Sequence, residues 1–97
     1  LNLASQYQAY PPPLNPQIYD TTPTTGPQAG GTTVTINGAN LGAVTTVKFG
    51  GVVATFTIVN ESQITAVSPA YAITGVVDIT AASTYGIATA HGAFTYT

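Results

Sequence analysis

The chain has 97 residues, a single-domain length, and only Asp20, Lys48, Glu61 and Asp78 are formally charged, for a net charge of -2. One Lys and no Arg cannot replace the counterions along a phosphate backbone, so nucleic acid is excluded as a partner. No run approaches the ~20 apolar residues a bilayer-spanning helix needs, so no membrane insertion is expected.

A domain with so little charge must cover its solvated faces with Thr, Ser, Asn, Gln and Gly. Such a surface repels itself weakly and associates where edges or patches match, which points to an assembly or a cell exterior. There is no cysteine, so redox compartment is not legible and no disulfide supports the core. The chain starts at Leu1 without Met, which is read as a processed form or an excised segment.

In chain order, residues 1–16 stand apart as an extended N-terminal arm or linker. Leu1, Leu3 and Tyr7 share one parity, and Asn2, Gln6 and Gln8 the other, the period of a half-buried strand. Tyr10 follows, and Pro11, Pro12 and Pro13 then stiffen the backbone toward polyproline II and end any ladder.

Residues 17–97 read as short strands divided by turn residues. Gln17 to Thr22 is the first, closed by Pro23 and a Thr24-Thr25-Gly26-Pro27 turn. Thr32 to Asn37 turns Val34 and Ile36 inward, and Val44 to Phe49 sets Val47 and Phe49 opposite Lys48. Gly50-Gly51 leads into Val52 to Val59, with Ala54, Phe56 and Ile58 on the core face. After the polar turn Asn60-Glu61-Ser62, Gln63 to Val67 runs up to Pro69. Gly75 to Ala82 carries Val77 and Ile79 inward and Asp78 outward, and a last strand ends on Phe94 and Tyr96. The fold class is all-β: an immunoglobulin-like β-sandwich of about seven strands, with no helix required.

The order Pro23-Thr24-Thr25-Gly26-Pro27, Gly30-Gly31-Thr32, Val34-Thr35-Ile36-x-Gly38, Asn40-Leu41, Val47-x-Phe49-Gly50-Gly51 resembles the IPT/TIG family of immunoglobulin-like domains. The likeness continues through Ile64-Thr65-Ala66-x-x-Pro69, Gly75-Val76-Val77-Asp78-Ile79 and Phe94-Thr95-Tyr96, covering about residues 16–97. Gly38 and Gly50-Gly51 are expected at positive φ where strands reverse. The resemblance implies a fold more than a biological role. Such domains occur in transcription factors, cell-surface receptors, polysaccharide-degrading enzymes and bacterial or viral surface proteins. The basic loops of a DNA-contacting member are absent. The arm lies outside the family pattern.

No catalytic constellation can be assembled. His91, the single histidine, has no spacing that ties it to a carboxylate or a serine, and it reads as a strand or bulge residue. Calcium needs converging oxygens, whereas the three acids are scattered; zinc would have one His and no Cys. No metal and no cofactor are therefore expected. Lys48 faces solvent by parity, which argues against a buried Lys–Asn cross-link.

Three features remain. Asn60-Glu61-Ser62 fits both an N-glycosylation acceptor and an ordinary β-turn. Tyr71 and Tyr85 fall in loops, where they are either sugar-stacking side chains or packing tyrosines. The arm has three readings: addition to the sheet edge of a neighbouring subunit, an interdomain linker, or pairing with its own domain. Arm-to-edge contact is heterologous and propagates into a filament unless it closes. The expectation is a non-enzymatic extracellular or cell-surface structural subunit that self-associates through Leu1, Leu3, Tyr7 and Tyr10. The alternatives are an accessory module contacting carbohydrate or protein, in a surface protein or glycan-degrading enzyme, or a virion surface or tail decoration domain.

Overall fold

Alternation of β-branched and polar residues fixes most of the architecture in the computed structural model, which describes residues 15–97. The arm residues Leu1, Leu3, Tyr7, Tyr10, Pro11, Pro12 and Pro13 lie outside the described residues. Eight strands occur among those described: β1 (Gln17–Thr22), β2 (Thr25–Gly26), β3 (Thr33–Ala39), β4 (Val44–Phe49), β5 (Val52–Asn60), β6 (Gln63–Val67), β7 (Gly75–Ser83) and β8 (Gly86–Tyr96).

They form two layers joined by one strand that changes sheet. In the first layer β1, β3, β6 and the second half of β5 pair antiparallel in that order. In the second, the first residues of β5 pair with β4, followed by β7, β8 and the short parallel β2. The crossing falls between Ala54, which pairs with Val47 of β4, and Thr55, which pairs with Val67 of β6.

The inward positions close into one core. Val34, Ile36, Val47, Phe49, Ile64, Ile79 and Phe94 are fully buried, and Phe56 and Ile58 pack against them. Each such apolar side chain contributes roughly 1.5–3 kcal/mol through burial. Phe94 sits edge-on to both Phe49 (5.2 Å, 80°) and Tyr96 (5.1 Å, 76°), the favoured geometry for opposed ring quadrupoles. Ser68, 2% exposed, is the buried polar residue among those described, and its Oγ accepts the Thr32 N–H at 3.0 Å.

Three details differ from the sequence reading. The segment read as the turn Thr24–Pro27 contains β2, which pairs with Thr95 and Tyr96, giving eight strands rather than seven. A two-residue strand carries no period of its own, so flanking prolines and glycine masked it. A single 3-10 turn, Leu41–Ala43, links β3 to β4 where no helix was expected, with Leu41 in the core. Gly38 lies inside β3 rather than at a reversal: a Cβ there would collide with the Gln17 carbonyl, so glycine is required for β1 to approach. Gly50 and Gly51 do reverse the chain at positive φ, 59° and 87°.

Candidate functional site

The outward side chains of the first layer line up in rows, because registered strands set every second residue on the same face. One row is Asp20, Asn37, Gln63 and Asn60 across β1, β3, β6 and β5. The next is Thr22, Thr35, Thr65 and Thr57, and a third is Thr33, Val67 and Thr55. With strands ~4.8 Å apart and rows ~6.7 Å apart, the grid is about 14 Å on a side. Asp20 is its one charged member, and its Oδ1 accepts a 2.7 Å hydrogen bond from the Asn37 amide. A bulge between Ile18 and Asp20 leaves Tyr19 66% exposed at the rim.

The second layer presents a different face. Lys48 lies between Val53 of β5 and Thr80 of β7, and Val53, Val76 and Ile87 are each more than 60% exposed. Asp78 stands opposite a bulge in β8, where Val77 pairs with Phe94 but Ile79 with Ala90. Its two carboxylate oxygens hold the bulge: one accepts the Gly92 N–H at 2.7 Å and the other lies 3.3 Å from His91 Nδ1. The Gly92 N–H, and then the His91 ring, hold the Asp78 carboxyl below its ordinary value against a smaller opposing effect of desolvation. His91 is thus a bulge residue, with an 83% exposed ring. Among the described residues no three His, Cys, Asp or Glu side chains gather into a metal-holding group.

The singled-out loop residues fall at opposite poles. At the pole where β1 begins, Asn40 donates to the Asn15 carbonyl at 3.3 Å, and Asn15 lies against Gly86. Tyr85 is at this pole, 54% exposed. Asn60 is also here and exposed, its Oδ1 accepting the Ser62 N–H at 2.7 Å, so the turn and the acceptor pattern occupy the same geometry. Glu61 closes the end by accepting the Gly42 N–H on its carboxylate and the Leu41 N–H on its backbone carbonyl. Tyr71 is at the far pole, stacked on Tyr96 at 4.8 Å, with its hydroxyl directed at the Gly50 carbonyl. Tyr96 donates to the Pro69 carbonyl at 2.7 Å, and burial, then the neighbouring Tyr71, pushes its phenol upward. Tyr71 and Tyr85 therefore do not converge on one site.

A strand edge is also open. β2 covers β8 at Thr95 and Tyr96, the Thr21 hydroxyl of β1 donates to the Ala93 carbonyl, and among the described residues no strand pairs with the outer edge over residues 86–92.

The family model for the IPT/TIG domain matches residues 16–96. The chain belongs to this family. Among solved structures, the IPT/TIG domain is similar to SGBP-B from a complex xyloglucan utilization locus in Bacteroides uniformis. That match has a TM-score of 0.70 and 20% identity over 82% of this chain and 23% of that one. It is also similar to the full extracellular region of Plexin A4, with a TM-score of 0.66 and 27% identity over 78% of this chain and 9% of that one. The chain thus spans less than a quarter of the length of either. No curated protein matches the sequence.

What the sequence reading missed in this IPT/TIG domain is the row of amides. Its members are spread over four strands, and only the register brings Asp20, Asn37, Gln63 and Asn60 together. The available signal was the presence of Asp and Asn at outward strand positions, where both are normally depleted.

Proposed function

We propose that this domain is a non-enzymatic structural module of a larger cell-surface or extracellular protein, set in line with its neighbours along the chain. The observation that carries this reading is polar threading. The domain is entered at Asn15, beside Asn40 and Gly86, and the chain leaves past Tyr96, at the other end of the 11-residue strand β8. These poles are roughly 30 Å apart at ~3.3 Å per residue. Entry and exit at opposite ends suit a bead in a string, and both similar structures are parts of much longer chains. At the exit, Thr97 donates its N–H to the Gly26 carbonyl at 2.9 Å, which ties the last residue into the sandwich.

The second reading is assembly by addition of the N-terminal arm to the sheet edge of a neighbouring copy, and the open outer edge of β8 favours it. Backbone hydrogen bonds would supply affinity there, and alternate side chains of the arm specificity.

One experiment separates the two. The 97-residue chain and a version lacking residues 1–10 are compared by negative-stain electron microscopy and sedimentation. The module reading expects folded monomers from both. Filaments formed by the full chain and abolished by the truncation would overturn it in favour of arm-to-edge assembly.

A further inference from the structure

We infer that the outer face of the β1–β3–β6–β5 layer is a binding surface for a neutral polysaccharide. This goes beyond the module reading and does not rest on it.

Strand chemistry does not require the composition of this face. Threonine rows come with any exposed sheet, because Thr is a strong strand former. Asp and Asn are not, yet Asp20 of the edge strand β1 faces Asn37 of β3, and Gln63 and Asn60 continue the row to the β5–β6 turn. Their side chains do no packing in the core. Asn60 serves its turn through the Ser62 N–H, whereas Asn37 and Gln63 gain no core packing, and residues that break a local preference without such a gain mark contact surfaces.

The chemistry of the grid then selects the partner. Carboxamides and hydroxyls each offer donors and acceptors together, as sugar hydroxyls do. The hydrogen bond of Asn37 to Asp20 at 2.7 Å holds that amide in place before any ligand arrives, which lowers the ordering cost of binding. Tyr19 in the adjoining bulge supplies an exposed ring at the rim, the side chain on which the C–H face of a sugar stacks. A protein partner would want a large aromatic or Arg anchor at the centre, and the central strands offer Asn37, Gln63, Thr35 and Thr65, with Val67 as their one exposed apolar side chain. An acidic polymer would want cations, and Lys48, the chain's one Lys, belongs to the other layer. Near-neutrality with dense hydrogen bonding fits an uncharged, hydroxyl-rich chain laid across the strands.

The test is affinity electrophoresis of the 97-residue chain in gels containing a soluble neutral β-glucan or a neutral mannan, with alginate as the acidic control. The expected result is retardation by a neutral polymer and none by alginate. The double variant Asn37→Ala/Gln63→Ala should weaken it at least tenfold with an unchanged thermal midpoint, and Thr80→Ala/Thr89→Ala on the opposite layer should leave it intact. Absence of retardation in both neutral gels would overturn the proposal. So would retardation by alginate to the same degree, or binding that survives the first double variant or is lost in the second. None of these outcomes touches the module reading.

Discussion

The two outer faces of the sandwich are built on the same backbone alternation, shield the same core and both carry threonines, yet their remaining outward residues differ. The β1–β3–β6–β5 face is rows of amides and threonines with Val67 and one carboxylate, itself hydrogen-bonded to Asn37. The opposite face mixes exposed Val53, Val76 and Ile87 with Lys48 and the Asp78–His91 bulge. Folding constrains the inward parity of each strand and leaves the outward parity open. A difference between two outward faces therefore reports on contact rather than on stability.

Removing the shared core should outweigh any change to either face. Phe94→Ala deletes the ring that touches Phe49 and Tyr96, and should cost about 3–5 kcal/mol in denaturant unfolding. A loss below 1 kcal/mol would mean that the two layers do not depend on a common core.

Gly38→Ala acts on one layer. The added methyl meets the Gln17 backbone and should cost about 1–3 kcal/mol, as overpacking does. Hydrogen exchange should show β1 amides losing protection while β7 and β8 keep theirs. Equal loss in all three would show the layers opening as one unit and would break the comparison.

The smallest effect concerns acid. Asp78 has a lowered carboxyl pKa, chiefly through the Gly92 N–H. Its contribution is fully present above the ordinary value near 3.8 and is lost as pH falls through the lower folded value. On lowering the pH from 6 to about 2.5, the melting temperature of Asp78→Asn should therefore fall slightly less than that of the parent. An identical drop in both proteins would show that the bulge does not need the charge.

Legibility followed periodicity. The inward sets Val34/Ile36, Val47/Phe49, Val77/Ile79 and Phe94/Tyr96 are spaced two apart within single strands, so alternation alone identified them, and all are buried. Turn chemistry is local and places Tyr85 correctly in a loop, whereas Asn60, expected in a turn, is the last residue of β5. β2 escaped, since two residues show no period, and Gly38 was misplaced because its crowding comes from Gln17, 21 positions earlier in the chain (38 − 17).

Sequence by itself determined the all-β class, the family and the inward face of nearly every strand, because those depend on side-chain parity and on turn residues that act locally. Tertiary structure alone decided which strands are neighbours, and with that the amide row, the open edge of β8 and the opposite poles of entry and exit. The physical reason is register: residues on different strands meet only through hydrogen-bonded pairings and the sheet change within β5, which no stretch of sequence encodes on its own.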